Sequence, residues 1–245
     1  MRKDRFYIEN TPIFSIESKK TIHKITKVLR KKEGSPIFLF DGKGKEYSAK
    51  IKKITPKKIT FEHLKTTKIC LKDPLTLTLA FSLLKSNKAD FVVQKSTELG
   101  VDRIIPFISK NTSVTHPGKA KLIHWQKILI ESAAQSQRRF IPKLEAPLKL
   151  TEFLSRFDRD YSLILLGDPE SLLPAKEVLS QIDKKKIKNI LLLSGPEGGF
   201  DKEEIAVFRK IPKLKAVKLS NFILRAETAA VFLTGLASHM LGKNG

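Results

Sequence analysis

Asn189-Ile190-Leu191-Leu192-Leu193-Ser194-Gly195-Pro196-Glu197-Gly198-Gly199-Phe200-Asp201-Lys202-Glu203-Glu204 runs from an apolar strand through a glycine-rich loop into the start of a helix. An unbroken apolar run suits a strand covered on both faces, as in a parallel sheet, and Asp201 and Glu204 have capping-box spacing. The same rhythm repeats on either side. Strands are expected at 75–83, 103–108, 161–166, 189–194 and 214–219, with helices at 87–99, 121–136, 174–181, 201–210 and 226–240. This alternation predicts an α/β fold, a mainly parallel sheet with helices packed on it. In such sheets ligands bind beyond the carboxyl ends of strands, which directs attention to the loops after 166, 194 and 219.

Before Asp73-Pro74 the pattern is different. Ile37-Phe38-Leu39-Phe40 reads as a strand, Asp41-Gly42-Lys43-Gly44 as a turn, and 46–54 and 58–64 as further strands around Thr55-Pro56. A helix precedes them, with Ile22, Ile25, Val28 and Leu29 at helical spacing and a basic flank. Two domains are therefore expected, a small β-rich one over 1–72 and an α/β one over 73–245.

The 245 residues hold 47 Lys or Arg against 25 Asp or Glu, a formal charge of +22 that points to a polyanionic partner. Residues 1–72 carry 20 basic and 7 acidic side chains (+13), and 73–245 carry 27 and 18 (+9). A uniform lysine-rich composition would not concentrate charge in the shorter part. No stretch approaches the ~18 apolar residues of a membrane helix, and Met1 to Asn10 lack the apolar run of a signal peptide, so the expected location is the cytoplasm. The single Cys70 permits no internal disulfide, and the five histidines show no metal-ligand spacing, so no metal is expected.

The loop 194–200 has glycines that let a backbone approach a ligand closely, yet it is neither a P-loop nor GxGxxG. Glu197, Asp201, Glu203 and Glu204 would repel phosphate, so a ligand without phosphate suits it better. A second constellation, Leu219-Ser220-Asn221-Phe222-Ile223-Leu224-Arg225-Ala226-Glu227-Thr228-Ala229, also lies at a strand end and leads into the apolar C-terminal helix. Arg is scarce here, ten against 37 Lys, which singles out Arg225 as a candidate for a planar, hydrogen-bonding role.

With these two loops the chain resembles the RsmE-type small-subunit ribosomal RNA uridine-N3 methyltransferases of the SPOUT superfamily. The resemblance is carried by an ordered series along nearly the whole chain. It includes Arg2, Arg5, Val28-Leu29-Arg30, Phe40-Asp41-Gly42 and Lys88 with Gln94-Lys95-Ser96-Thr97-Glu98-Leu99-Gly100-Val101. Trp125-Gln126-Lys127-Ile128, Gln135-Ser136-Gln137-Arg138, Gly195-Pro196-Glu197-Gly198-Gly199 and Leu224-Arg225-Ala226-Glu227-Thr228-Ala229 complete it.

The resemblance implies an N-terminal PUA-like β-barrel that binds RNA and a C-terminal α/β domain with a deep trefoil knot. It further implies a homodimer that methylates 16S rRNA in the small ribosomal subunit, with S-adenosylmethionine held in the knot loops. Cofactor binding then falls to Leu166, Gly167, Ser194, Gly195, Pro196, Glu197, Gly198, Leu219, Ser220, Asn221, Ile223 and Leu224. Arg225 is expected to stabilise charge on uracil, oriented by Glu227, with Glu197, Glu227 and a water all open as the general base. RNA contacts are expected from Arg2, Arg5, Arg30, Lys88, Lys95 and Arg138.

The chain departs from the family pattern at Ser220 and Phe222, where Gly and Arg are usual, at Lys110-Asn111 and at Ala134. Two other readings share these features: a SPOUT methyltransferase acting on another rRNA or tRNA base, and a non-catalytic RNA-binding factor of ribosome assembly. The nucleotide modified is not encoded in the charge, since phosphate contacts position a protein without identifying a base.

Overall fold

The computed structural model describes residues 4–9, 14–85, 87–114, 117–157, 161–184 and 186–243. They fall into two compact units, Met1–Lys72 with Ala133–Ile141, and Asp73–Ser132 with Pro142–Gly245. The first unit thus includes Ala133–Ile141, which a single break after residue 72 does not provide for.

In the first unit β1 (Arg5–Tyr7), β2 (Ser15–Ile16), β3 (Pro36–Phe40), β4 (Lys45–Ile54) and β5 (Ile59–Ile69) form a sheet in the order β1-β3-β4-β5-β2. Only the β1–β3 pair is parallel. Alternation places Ile37 and Leu39 of β3 and Tyr47, Ala49 and Ile51 of β4 in one core with Phe6, Ile8 and Ile59. Helix α1 (Lys19–His23), capped by Ser18, continues into a π-helical turn, Lys24–Val28, and contributes Ile22 and Ile25 to that core.

The turn after β3 is held by Asp41, whose Oδ1 accepts from the amides of Lys43 (2.8 Å) and Lys45 (3.0 Å). Gly44 is required there: its φ is +107°, and a Cβ would lie 2.7 Å from both the Cys70 carbonyl oxygen and the Phe140 ring. The returning segment is tied to this turn by Gly44 N to Arg139 O (3.2 Å) and Ile141 N to Gly42 O (3.0 Å).

In the second unit the elements are β6 (Thr76–Ser82), α2 (Lys88–Glu98), β7 (Arg103–Ile108), α3 (Lys119–Gln135), β8 (Lys143–Leu144), β9 (Leu148–Lys149) and α4 (Leu150–Phe157). They are followed by β10 (Leu163–Gly167), α5 (Ala175–Ser180), β11 (Asn189–Ser194), α6 (Lys202–Arg209), β12 (Leu214–Val217) and α7 (Ala226–Leu241). The sheet order is β12-β10-β11-β6-β7-β8, with β9 beside β7, and every pairing is parallel.

The central strand β11 is buried from Ile190 to Ser194, as its apolar run requires of a strand with helices on both faces. Leu191 and Leu193 join Ile164, Leu166, Ala80, Ile105 and Phe107 in a core that also holds Phe153 of α4 and Phe208 of α6. Helix α7 packs on β6, β10 and β11 and lies against α2 and α5. The strands at 103–108 and 189–194 and the helices near 87–99 and 226–240 stand where the sequence pattern puts them. The structure adds the short β8 and β9, and α4, to the elements that the sequence pattern predicts.

Candidate active site

Strands β12, β10 and β11 are neighbours and parallel, so the loops that follow them leave the sheet at its carboxyl end, side by side. This brings together three segments far apart in sequence: Leu166-Gly167, the loop 194–200, and 219–225. Leu166 and Ser194 are buried at the strand ends.

The loop after β11 is firmly held. A Cβ on Gly195 would stand 2.8 Å from the Phe200 ring, which is itself stacked on Phe107 and edge-on to Phe208. Gly199 has a φ of +71° and donates its amide to Pro196 O (3.0 Å), closing a tight turn. From the loop after β7, Asn111 donates its carboxamide to Gly199 O (3.0 Å), and its Cβ lies 3.3 Å from where a Cβ on Gly198 would be.

The capping box predicted for Asp201 and Glu204 is present, with Glu204 N to Asp201 Oδ1 at 2.9 Å and Asp201 N to Glu204 Oε2 at 3.0 Å. The Lys110 amide donates to Glu204 Oε1 (2.8 Å), and its ammonium pairs with Asp201 and Glu203. Hydrogen bonds from Lys110 and the Glu204 amide hold Asp201 below the ordinary aspartate range. Lys110 and Asn111 thus brace the loop; their position directly after the 103–108 strand was the available signal.

After β12, Leu219 reaches within 3.3 Å of the place a Cβ on Gly167 would occupy. Ser220 Oγ accepts the Phe222 amide at 3.0 Å, which turns the chain. Among the described residues the non-glycine positive-φ positions are Arg30, His63 and Gln137, so the backbone at 220 and 221 needs no glycine. Phe222 and Ile223 project, 83% and 90% exposed, and Leu224 is half-buried before Arg225, the N-cap of α7.

Arg225 is exposed at the helix start. Glu227 does not pair with it: residues two apart on a helix point to different sides. Instead Glu227 Oε2 lies 3.8 Å from Lys88 Nζ, at the first residue of α2, and Lys88 donates a 3.1 Å hydrogen bond to Glu197 Oε1. Glu227 Oε2 is buried and accepts no hydrogen bond. Burial pushes the Glu197 carboxyl up, but its own backbone amide and the Lys88 ammonium outweigh this and hold it below the usual glutamate range.

The expected RNA contacts divide. Arg30 is exposed, and Lys95 is partly exposed beside Glu98 at 3.0 Å. Lys88 is engaged by carboxylates. Arg5 is buried, paired with Glu46 and donating to the carbonyls of Ala133 (3.1 Å) and Arg138, and Arg138 is itself buried. Neither Arg5 nor Arg138 presents a guanidinium to a ligand, because each is enclosed where Ala133–Ile141 returns to the first unit. Arg2 lies outside the described residues.

Comparison with known proteins accords with this arrangement. A family model for an RNA methyltransferase domain matches residues 71–238, and one for an RNA methyltransferase PUA domain matches 19–62. The ribosomal RNA small subunit methyltransferase E of Rickettsia conorii is 30% identical over 244 residues, 94% of this chain and 93% of that protein. This chain belongs to the ribosomal RNA small subunit methyltransferase E family. Among solved structures, methyltransferase E from Neisseria gonorrhoeae bound to S-adenosyl methionine superposes with a TM-score of 0.77 at 29% identity, covering 95% of both chains. A Legionella pneumophila protein in complex with the bound cofactor SAM gives 0.83 at 29% identity, covering 98% of both.

Proposed function

We propose that this protein methylates N3 of a uridine in 16S rRNA of the small ribosomal subunit, using S-adenosylmethionine, in the cytoplasm. The observation that carries this is the convergence of Leu166-Gly167, 194–198 and 219–224 at the carboxyl end of the sheet, beside an exposed Arg225 and the unpartnered acceptor oxygen of Glu227.

The residues fit the cofactor. The start of α6 is already satisfied by the carboxylate of Asp201, and Lys110 is occupied by Asp201 and Glu203, so this loop offers no phosphate site. It offers glycine backbone and the ionised Glu197, which suit a nucleoside carrying a sulfonium. Leu166, Gly167, Ser194, Gly195, Pro196, Glu197, Gly198, Leu219, Ser220, Asn221, Ile223 and Leu224 would hold it. Bound there, S-adenosylmethionine supplies an electrophilic methyl group.

The protein's part is to place the uracil, take the N3 proton and stabilise the charge that results. Arg225 faces solvent where a base can enter, and its guanidinium stabilises negative charge spreading to the uracil oxygens. Glu227 Oε2 is the acceptor for the proton. N3 lies on the Watson–Crick edge, so the target uridine must be unpaired or extruded. The first unit, with most of the excess charge, serves as the RNA platform. The loops of the second unit form the deep trefoil knot of the SPOUT fold, and the chain works as a homodimer through that unit.

The test is incubation with methyl-labelled S-adenosylmethionine and small subunits from cells lacking the gene, followed by nucleoside mass spectrometry. Label in 3-methyluridine is expected with the wild-type protein. Arg225→Ala should lose transfer, by about 100-fold or more, while retaining cofactor affinity. Subunits that bind but accept no label would refute the assignment.

A further inference from the structure

Lys88 is partly exposed but its ammonium is turned to two carboxylates of the site, and we infer that it is a positioning residue that sets the two carboxylates of the methyl-transfer site against each other. The inference rests on the function proposed above and assigns a new role within it.

Lys88 opens α2, where the positive end of the helix dipole disfavours a cation. Two carboxylates offset that cost, Glu197 from the loop after β11 at 3.1 Å and Glu227 from the first turn of α7 at 3.8 Å. The ammonium of α2 is therefore the common counter-charge of two other elements. Arg225, the other charged group at the start of α7, is turned to solvent and pairs with neither.

The two contacts are unequal, and the inequality matters. Glu197 receives the hydrogen bond, so its Oε1 is occupied. Glu227 receives charge without a donor, which leaves Oε2 desolvated and without a hydrogen-bond partner. A carboxylate oxygen in that condition is suited to accept N–H from a substrate, and uridine N3–H is such a donor. The N3 proton passes to Glu227 Oε2, and the N–H bonding pair remains on N3 to form the N–CH3 bond. The S–C bond breaks with its pair going to sulfur, and Glu227 later returns its proton to water. Lys88 keeps Glu227 in place for this without competing for the oxygen.

The experiment compares wild type with Lys88→Met and Lys88→Arg in the full chain. For Lys88→Met we expect kcat to fall by roughly tenfold or more, with KM for the subunit and the salt dependence of RNA binding unchanged. Lys88→Arg should recover part of kcat. In the protein without cofactor, carbon-detected NMR titration should show the Glu197 carboxyl moving up in Lys88→Met, because one cause of its depression is gone. Thermal unfolding checks each variant, and Lys88→Gln carries the comparison if Lys88→Met does not fold.

A raised KM with a flatter salt dependence and unchanged kcat would make Lys88 an RNA contact and overturn the inference. So would an unmoved Glu197 titration. Absence of 3-methyluridine with wild type would overturn the proposed function instead, while the Glu197 titration would still decide whether Lys88 holds the carboxylates.

Discussion

Arg5 illustrates how a basic domain can spend a guanidinium on its own fold. Its side chain pairs with Glu46, donates to the carbonyls of Ala133 and Arg138, and lies 4.5 Å from the centre of the Phe40 ring. Removing it leaves Glu46 with the more distant Arg139 (3.5 Å) and takes a donor from two carbonyls, of which Ala133 O keeps the Arg138 amide (2.9 Å), so Arg5→Ala should lower stability by about 3 kcal/mol in urea unfolding. Below the transition the variant should bind RNA with an unchanged salt dependence. Sequence showed a cation in a basic segment but could not show this burial, because its partners lie 128 and 133 residues away. Glu227 teaches the same lesson. Its neighbour in sequence is Arg225, and its neighbour in space is Lys88, brought there by the packing of α2 on α7.

At the scale of elements, the long apolar runs were legible because burial on both faces leaves few alternatives to a parallel strand. Strands of two or three residues, β1, β2, β8 and β9, carry too little pattern to be read, and they form because a neighbouring strand offers open hydrogen-bonding groups. The joint of α2 and α3 was likewise hidden. Asp90 of α2 accepts from Trp125 Nε1 (2.7 Å) and contacts Lys121 (2.6 Å) and His124 (3.1 Å) of α3. Burial pushes the Asp90 carboxyl up, but hydrogen bonds from Lys121, Trp125 and His124 and the charge of Lys121 outweigh it and hold it below the aspartate range.

A depressed carboxylate stabilises the fold above its unfolded pKa and ceases to do so as pH falls through the folded value. Asp90→Asn should therefore cost about 1 kcal/mol at neutral pH, a screened contribution from a carboxylate near the surface. The gap from wild type should close below about pH 4. Trp125 is the single tryptophan, so its fluorescence reads the unfolding of both proteins directly. A gap that persists unchanged into acid would show that the charge of Asp90 is not what joins the helices.

At the scale of the whole molecule, strand order was the least legible feature. β11 pairs with β6, more than a hundred residues earlier, and no local periodicity encodes that pairing. Charge was legible, but only as a sum. Of the RNA contacts expected, the described structure leaves Arg30 exposed, keeps Lys88 and Lys95 partly exposed beside carboxylates, and buries Arg5 and Arg138. Net charge steers the chain toward RNA, whereas ion release at the contact is paid only by cations that touch phosphate. Binding to small subunits should thus weaken steeply with salt, and Arg30→Ala should reduce the log–log slope by about 0.7 to 1. Arg5→Ala removes the same formal charge and should leave the slope unchanged. Equal losses for both would mean that the field of +22 acts as an undivided whole; unequal losses would show that the fold has sorted its cations into those that hold the protein and those that hold the RNA.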